Sequence, residues 1–350
     1  MEEEKKEIQS RLIEKKKEIK ENEITDILRA IAPGTLLRTA IEGVQKAKTG
    51  GLIVVYNDFV QTIFEGGFKI NARFTPQKII ELGKMDGAII ISEDLKKILH
   101  ANVLLTPDNS IPSEETGTRH KAAERTAKQA ETIVIAVSQR RDEIALFYRN
   151  LKYVIRDTND ILRRATTTLQ MIEKHKDIFD RNKLELDKEE LKKNPRLIKA
   201  LLLIQRGRII LNTSDTLKSY LIELGTEGAL VKARLKELLH KVEKEIDETV
   251  KDYSRFGLPK SKKILSVLNY DELIDTENIK QCLGISEEIM IPRGYRILER
   301  EGMSGEDAEI LIKNFKNLHS ILGVDRNILI PLFSEEKIDD IFEIIKNIRE

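Results

Sequence analysis

Short apolar runs alternate with helical patterns in the first part of the chain. Between the runs, apolar residues recur at helical spacing over 36–47, and Pro76 and the segment after residue 118 each begin a further helix. Short runs rich in β-branched residues are typical of strands buried on both faces. We therefore predict an α/β domain over residues 24–150, with a mostly parallel or mixed sheet and helices on both faces. The five predicted strands are 52–56, 89–91, 98–105, 132–137 and 143–148.

The hydrophobic pattern changes after the fifth predicted strand. From Leu151 to Phe179, apolar positions step by three and four residues, which predicts a long amphipathic helix with a narrow apolar seam. Helical patterning resumes after Pro195 and continues well beyond a break at 225–228. The pattern therefore predicts an all-α helical spine over residues 151–259.

The two ends of the chain carry different patterns. Residues 1–23 mix acidic and basic side chains, many of them three or four positions apart, and predict a solvated, charged helix. Residues 260–350 contain short apolar segments separated by turns with Gly and Pro, which predict a small all-α C-terminal domain.

The overall charge excludes a chain-wide attraction to polyanions. Sixty Lys and Arg residues stand against 59 Asp and Glu residues, giving a net charge of +1 at pH 7. A strong basic field, which draws a protein onto nucleic acid or anionic lipid, is therefore missing.

The single cysteine, Cys282, excludes an internal disulfide framework, and no apolar run is long enough for a membrane span. We expect a cytoplasmic protein without membrane contact.

One carboxylate lies where a loop meets a predicted strand. Asp86 and Gly87 directly precede the apolar run at 88–91. Loops at strand ends are usual places for functional side chains on an α/β scaffold, and a glycine lets a ligand approach the backbone closely. A carboxylate at this place can hold a divalent metal. An ordinary Asp-Gly turn is the alternative interpretation.

A second stretch delivers basic side chains at the start of a predicted helix. The loop 113–118 (SEETGT) leads into Arg119, His120 and Lys121. With capping residues in place, the free amides of a helix start form an anion site, and an arginine can fork two phosphate oxygens. Two more guanidiniums lie in the segment 138–141 (SQRR), after another predicted strand. Each basic run alone is compatible with a solvated face, but their convergence at strand ends favours a site for metal-bound nucleotide phosphates.

Several other catalytic schemes are excluded by their missing motifs. The sequence contains no G-x-x-x-x-G-K-[ST], G-x-G-x-x-G, H-E-x-x-H or G-x-S-x-G motif. Of its five histidines, His100 and His175 are expected to pack, and His240 and His319 lie on predicted helices without the spacing of a metal site.

An ordered set of short motifs makes the sequence recognisable. They are Thr49–Val55, Gly66–Phe68, Met85–Ile89, Ala101-Asn102, Ser113–His120, Ala123–Arg125, Ser138 with Arg140-Arg141, Leu224–Gly228 and Pro292–Arg296. With these motifs the chain resembles the DNA-integrity scanning diadenylate cyclases, which condense two ATP molecules into cyclic di-AMP. The resemblance implies the layout of that family: a cyclase domain, a helical spine and a C-terminal helix-hairpin-helix DNA-binding domain, assembled as an octamer.

The resemblance also implies a role for each candidate residue. Asp86 would bind the metal, Mg²⁺ or Mn²⁺, and help to activate the ribose 3′-hydroxyl, and Arg119 and His120 would complete the catalytic set. The expected nucleotide-binding residues are Gly87 and Leu105 at the adenosine, Thr118, Arg119 and His120 at the phosphates, and Ser138, Arg140 and Arg141 at the pocket rim. Nucleotidyl transfer needs alignment and charge neutralisation, which these residue types and an oxygen-bound metal can supply.

The product of such a reaction constrains the assembly. Each motif occurs once per chain, whereas cyclic di-AMP contains two identical linkages. Two chains must therefore bring two sites together, so that each 3′-hydroxyl attacks the α-phosphate of the other ATP.

Three features depart from the family pattern. Lys121 stands where the family usually has a second arginine, and Tyr56 follows the first strand where a glycine is common. At the expected second hairpin, 333–340 (FSEEKIDD) contains no glycine and four carboxylates, and residues 291–350 hold nine Lys and Arg against twelve Asp and Glu. Phosphate binding favours the opposite charge, so we expect DNA binding to be weakened. The alternative function is a catalytically weak nucleotide sensor on a DNA- or partner-binding helical scaffold.

Overall fold

The computed structural model describes residues 25–192, 195–285 and 290–349. Within these ranges the chain divides into two compact units. The first extends to Arg164 and includes Ser219–Leu230, and the second comprises Ala165–Lys218 and the residues from Val231 onward. The predicted charged helix at 1–23 lies outside the described residues.

An eight-stranded mixed sheet forms the core of the first unit. Its strands are β1 (Gly51–Val55), β2 (Phe64–Glu65), β3 (Phe68–Arg73), β4 (Ala88–Ile91), β5 (Lys97–Leu105), β6 (Ile133–Val137), β7 (Ile144–Tyr148) and β8 (Leu151–Ile155). The order is β2-β5-β4-β1-β6-β7-β8, and β3 also pairs with β5. Among these strands β1 and β4 form the one parallel pair. The predicted mixed sheet is confirmed, and each predicted strand overlaps an observed one.

Helices cover both faces of this sheet, as predicted. They are α1 (Leu36–Lys46), α2 (Pro76–Leu82) and α3 (Thr118–Ala130). Because successive side chains of a strand point to opposite faces, β1 contributes to two apolar cores. Ile53 packs in the core that includes α1 and α2, whereas Leu52 packs in the core that includes α3.

Helix α3 presents small side chains to the sheet. Ala123, Ala127 and Ala130 recur at helical spacing and are at most 1% exposed. Alanines on this face let the helix axis lie close to the strands, which fixes the position of the helix start. The helix ends at Glu131, which adopts a left-handed conformation with φ of 49°.

The structure corrects the predicted start of the helical spine. We predicted a helix from Leu151, but residues 151–155 form β8, antiparallel to β7, and the long helix begins only at Thr158. Along β8, partly buried positions alternate with exposed ones, as expected for an edge strand with one face on the core. Val154 is 40% exposed on the outer face, so its three-residue spacing from Leu151 was not a helical seam.

The remainder of the described chain is helical. Its helices are α4 (Thr158–Glu190), α5 (Ile198–Leu224), α6 (Ala229–Leu238), α7 (Val242–Tyr253), α8 (Leu258–Val267), α9 (Tyr270–Ile274), α10 (Thr276–Cys282), α11 (Tyr295–Arg300), α12 (Gly305–Phe315), α13 (Leu318–Leu322), α14 (Arg326–Leu329) and α15 (Glu335–Arg349). From Thr158 onward, the predicted all-α character of both later regions is confirmed. Within the described ranges, no helix is both long enough and apolar enough to span a membrane.

The motif Pro292–Arg296 anchors the start of α11 to α7. The Asp252 carboxylate accepts hydrogen bonds from the backbone N–H groups of Gly294 and Tyr295, both at 2.7 Å, and of Arg296 at 3.1 Å. Gly294 has φ of 115°, a conformation that favours glycine. Asp252 therefore satisfies the amides that the start of α11 would otherwise leave unpaired.

Arg296 lies in a buried network of carboxylates. Its side chain is 1% exposed and makes ion pairs with Glu190 on α4, with Asp187 one turn earlier, and with Glu245 on α7. A buried charge is tolerated only when partners neutralise it and satisfy its hydrogen bonds. The motif therefore joins the end of α4, helix α7 and the C-terminal helices.

Candidate active site

A cleft with a volume of about 1050 Å³ opens at one edge of the sheet. Strands β1 and β4 run parallel and begin at this edge, while β5 and β6, antiparallel to them, end there. The start of α3 and the loop between β6 and β7 complete the walls. Segments that are far apart in the sequence meet at this edge because the strand directions bring their ends together.

The cleft brings together every site residue predicted from the sequence. Its lining includes Asp86, Gly87, Leu105, Thr118, Arg119, His120, Ser138, Arg140 and Arg141. Asp86 and Thr118 are exposed to solvent, whereas Leu105 is 9% exposed and forms part of the apolar floor. The proximity of these residues is a structural fact, and their individual roles remain predictions.

Asn102 fixes the backbone beside Asp86. Its Oδ1 atom accepts a hydrogen bond from the Gly87 N–H at 3.1 Å. Asn102 has φ of 55°, and a Cβ at residue 87 would lie 2.4 Å from the Asn102 carbonyl carbon. The glycine is therefore required by the close approach of β5, whereas we had expected it to make room for a ligand. We had recognised Ala101-Asn102 as a family motif without assigning Asn102 to the site, because its positive φ and its contact across fifteen residues leave no local pattern.

The start of α3 has the features of an anion site. Gly117 is the capping residue, no side chain caps the helix, and the first turn contains no acidic residue. The expectation of a side-chain cap at this helix was therefore wrong. Because the first amides of a helix lack intrahelical partners, their N–H groups at Thr118 and Arg119 are available to a phosphate.

Helix α3 also holds the loop that precedes it. The Glu124 carboxylate accepts a hydrogen bond from Ser113 Oγ at 2.5 Å, and Arg125 Nε donates to the carbonyl oxygen of Ile111 at 2.9 Å. Lys128 Nζ pairs with Glu124 at 2.7 Å. The loop is thus anchored to the helix whose start it precedes, which preorganises both for a ligand.

The side chain of Arg119 lies against the beginning of β1. A Cβ at residue 50 would be 2.3 Å from Arg119 Nη1 and 3.3 Å from the carbonyl oxygen of Val137. Gly50 therefore provides the space that the guanidinium occupies. We had recognised Thr49–Val55 as a family motif without assigning it to the site.

His120 lies at the border of the cleft and the apolar core. Its ring makes an edge contact with Phe147, with centroids 6.4 Å apart and planes at 77°. Burial lowers the pKa of His120, while the carboxylates of Glu115 and Glu143 act in the opposite direction. The neutral imidazole is therefore favoured, and it can donate one hydrogen bond to a phosphate oxygen.

The rim of the cleft is held by polar contacts. Ser138 Oγ accepts a hydrogen bond from the Arg141 N–H at 3.1 Å, and Arg141 Nη2 lies 3.5 Å from Thr116 Oγ1. Glu115, 9% exposed, pairs with Lys152 of β8 at 2.5 Å. Ser138 therefore shapes the turn that carries the arginines, and Glu115 is a cleft residue that we did not predict.

Comparison with known proteins identifies the family. The family model described as DisA bacterial checkpoint controller nucleotide-binding matches residues 38–151, and the model of the DisA linker region matches residues 155–291. The DNA integrity scanning protein DisA of Clostridium botulinum (strain 657 / Type Ba4) is 38% identical over 312 residues, which cover 87% of this chain and 88% of that protein. The chain belongs to the DNA integrity scanning family of diadenylate cyclases.

A second relative agrees with this membership. The DisA protein of Acetivibrio thermocellus is 39% identical over 333 residues, covering 92% of this chain and 90% of its own. Among solved structures, DacA from Staphylococcus aureus matches 37% of this chain and 91% of its own, with 23% identity and a TM-score of 0.29. The resemblance stated from the sequence is confirmed, and with it the prediction of an enzyme of the diadenylate cyclase class.

Proposed function

We propose that this protein condenses two ATP molecules into cyclic di-AMP and two pyrophosphates, with Mg²⁺ or Mn²⁺, at a site formed between two facing cyclase domains. One observation carries the proposal: the exposed Asp86 carboxylate and the uncapped start of α3, with Arg119 and His120, line the same cleft. A carboxylate opposite phosphate donors is the arrangement that nucleotidyl transfer requires.

The reaction forms and breaks one bond at each phosphorus. The 3′-oxygen of one ATP attacks the α-phosphorus of the other, the bond from that phosphorus to the bridging oxygen breaks, and pyrophosphate leaves. In this proposal Asp86 lies beside the 3′-hydroxyl and favours loss of its proton. The 3′-oxygen of the second ATP attacks the α-phosphorus of the first in the same way. A second pyrophosphate leaves, and the ring is closed.

The phosphates are held by the start of α3 and by the rim. The free amides at Thr118 and Arg119 face the negative charge, and the Arg119 guanidinium neutralises part of it. Arg140 and Arg141 carry further positive charge at the rim, where the departing pyrophosphate is expected. Leu105 supplies an apolar surface for adenine.

The donor set in the cleft fits a hard divalent cation. In the part of the chain that the structure describes, no group of three or more His, Cys, Asp or Glu side chains could hold a metal by itself. Mg²⁺ usually binds through one or two carboxylates together with substrate phosphates, and Asp86 can supply such a carboxylate. When bound, the cation would neutralise phosphate charge and lower the pKa of the attacking hydroxyl.

Each chain supplies half of the machinery for a ring with two linkages. One Asp86 and one Arg119-His120 pair occur per chain, so the second linkage needs a second copy. The family resemblance supports an octamer with facing cyclase domains, and we propose the same assembly here.

We propose that DNA binds the C-terminal domain only weakly. Several of its basic side chains are already engaged: Lys337 pairs with Asp307 at 2.9 Å and Arg326 pairs with Asp339 at 2.7 Å. Helix α15 begins with Glu335 and Glu336, whose charge opposes a phosphate at that helix start. Filter binding of duplex DNA to the full chain at several salt concentrations would test this. Tight binding at low salt that weakens steeply as the salt concentration rises would contradict it.

A direct assay tests the cyclase activity. Purified protein with ATP and either Mg²⁺ or Mn²⁺ should yield cyclic di-AMP on anion-exchange chromatography. Asp86→Asn should abolish the product while sedimentation shows an unchanged oligomer. Asp58→Asn, a matched change at an exposed aspartate outside the cleft, should leave activity unchanged. Absence of product with both metals would overturn the proposal.

A further inference from the structure

A second cavity, of about 440 Å³, lies in the second compact unit and concentrates positive charge. Its walls come from the end of α7, the start of α8, the start of α11 and the end of α12. Four of its lining residues are Lys or Arg, and none is Asp or Glu. We call it the basic cavity. Its walls include Lys251, Arg293, Lys313, Lys316, Phe256 and Tyr295.

Two of these cations make no ion pair within the described residues. Lys316, at the end of α12, is exposed, and Arg293 donates one hydrogen bond, to the carbonyl oxygen of Lys251 at 2.5 Å. A carbonyl oxygen carries no net charge, so both side chains keep their full positive charge at the cavity.

The other two cations are only partly neutralised. Lys251 Nζ lies 3.8 Å from Glu299, and Lys313 Nζ lies 2.9 Å from Glu309. The Lys313 pair is largely exposed, at 72% and 52%, so solvent screens it strongly. The basic cavity therefore keeps a net positive charge that these carboxylates do not cancel.

This charge contrasts with its surroundings. Residues 291–350 hold nine Lys and Arg against twelve Asp and Glu, yet the cavity collects four cations from three segments of the chain. Like charges gathered around one concave surface repel each other and raise the local positive potential. An anion in the cavity would relieve that repulsion.

Aromatic rings position two lysines near the cavity. Lys251 Nζ lies 5.3 Å from the centre of the Tyr295 ring, and Lys260 Nζ lies 4.2 Å from the centre of the Phe256 ring. Such cation–π contacts favour these lysine positions. The start of α8 at Leu258 also lines the cavity, and no side chain caps that helix.

We propose that the basic cavity binds a small molecule that carries two or more phosphate groups. Four cations around 440 Å³ exceed what a single phosphate needs, and they match a diphosphate or a triphosphate. A neighbouring cavity shares Lys251 and Tyr295 but is lined by Glu306 and Glu309. Those carboxylates would repel an extended polyanion such as a DNA backbone, whereas a compact ligand can avoid them.

Lysine footprinting on the full-length protein tests the proposal at residue level. The protein is acylated without added metal, in the presence of inorganic tripolyphosphate, ATP or a short DNA duplex, and modified lysines are quantified by mass spectrometry. Tripolyphosphate should reduce modification of Lys313 and Lys316 at least about fivefold. Lys263, exposed on α8 outside the cavity, should be unaffected. The experiment measures lysine modification at the basic cavity and not at the cyclase cleft. Its result is therefore independent of whether the protein makes cyclic di-AMP.

Substitutions in the basic cavity provide a second test of the proposal. Lys313→Ala combined with Lys316→Ala should weaken tripolyphosphate binding at this site about tenfold or more, by loss of two charge-assisted contacts. Lys263→Ala, which removes one positive charge outside the cavity, should leave tripolyphosphate binding unchanged. Stronger protection by ATP than by tripolyphosphate would identify a nucleoside polyphosphate as the ligand, and equal protection would identify the polyphosphate group alone.

Two results would overturn the proposal. Equal protection of Lys263, or none at Lys313 and Lys316, would show that the basic cavity binds no polyphosphate. Protection by the DNA duplex at a lower phosphate concentration than by tripolyphosphate would assign the cavity to nucleic acid instead.

Discussion

Arg119 Nη1 lies 2.3 Å from the point that a Cβ at Gly50 would occupy. The Arg119 guanidinium, at the start of α3, therefore occupies the space beside the backbone of Gly50, just before β1. Gly50 also has φ of +70°, so the turn before β1 favours glycine for its conformation as well as for its lack of a side chain. We infer that Gly50 is a positioning residue for Arg119.

Gly50→Ala should lower cyclic di-AMP synthesis about a hundredfold, because a displaced phosphate ligand costs that order of rate. Gly66→Ala is a matched control. Gly66 has nearly the same φ, +66°, but no atom outside its chain neighbours lies within 4 Å of the point that a Cβ would occupy there. This variant therefore has the backbone strain without the collision. Initial rates of both variants at saturating ATP make the comparison.

A double-mutant cycle separates positioning from general damage. In a chain that already carries Arg119→Ala, the further change Gly50→Ala should have little effect on the remaining rate. A full additional loss in the double variant would show that Gly50 acts through the fold and not through Arg119.

Asn102→Ala should reduce the rate of synthesis about tenfold. The change removes the acceptor for the Gly87 N–H and so loosens the backbone that carries Asp86. Asn71→Ala provides the comparison, because Asn71 also has a positive φ, 45°, but does not line the cleft. Steady-state kinetics should show a lower kcat for Asn102→Ala alone, and equal losses in both variants would contradict the assignment.

Arg296→Met should lower the free energy of unfolding by about 3 to 5 kcal/mol, since it leaves the buried Glu190 without its guanidinium partner. Adding Glu190→Gln should recover part of the loss. Arg326→Met, which breaks an exposed pair with Asp339, should cost about 1 kcal/mol or less. Urea denaturation followed by circular dichroism measures all three, and similar losses for Arg296→Met and Arg326→Met would refute the network.

Glu248→Gln should change how stability depends on pH. Burial, followed by the neighbouring carboxyl of Glu299, raises the pKa of Glu248 to about 7 from an ordinary value near 4.5. Between these pH values the folded protein binds the extra proton, so the free energy of unfolding falls as pH rises towards 7. The stabilisation is complete below pH 4.5 and is lost above 7.

The glutamine variant should therefore be more stable than the parent above pH 7, by about 1 to 2 kcal/mol, and should match it near pH 4.5. Thermal unfolding across that range checks the sign. Glu306→Gln, at an exposed glutamate, should follow the parent curve throughout. A parallel shift at all pH values would exclude titration of Glu248 as the cause.

The strand-rich half of the fold was predictable because its strands are short, apolar and well bounded. Asp86 and the segment Thr118–His120 could also be found, since carboxylates and basic runs at strand ends have a local pattern. Asn102 and Gly50 were recognised only as parts of family motifs. Their roles in the site were not predicted, because these roles depend on positive φ values and on contacts with segments far away in sequence. For β8, Leu151, Tyr153 and Ile155 alternate as in a strand, while Leu151 and Val154 are spaced as in a helix, and only the pairing with β7 decides between the two.

The single Asp86 and the single uncapped α3 start on each chain make the output of the proposed enzyme depend on its own concentration. Below the concentration at which chains associate, the number of complete sites falls with the square of the protein concentration. Output would then respond to expression level more steeply than that of an enzyme with a complete site on each chain. A twofold fall in the amount of protein would then lower synthesis about fourfold without any effector.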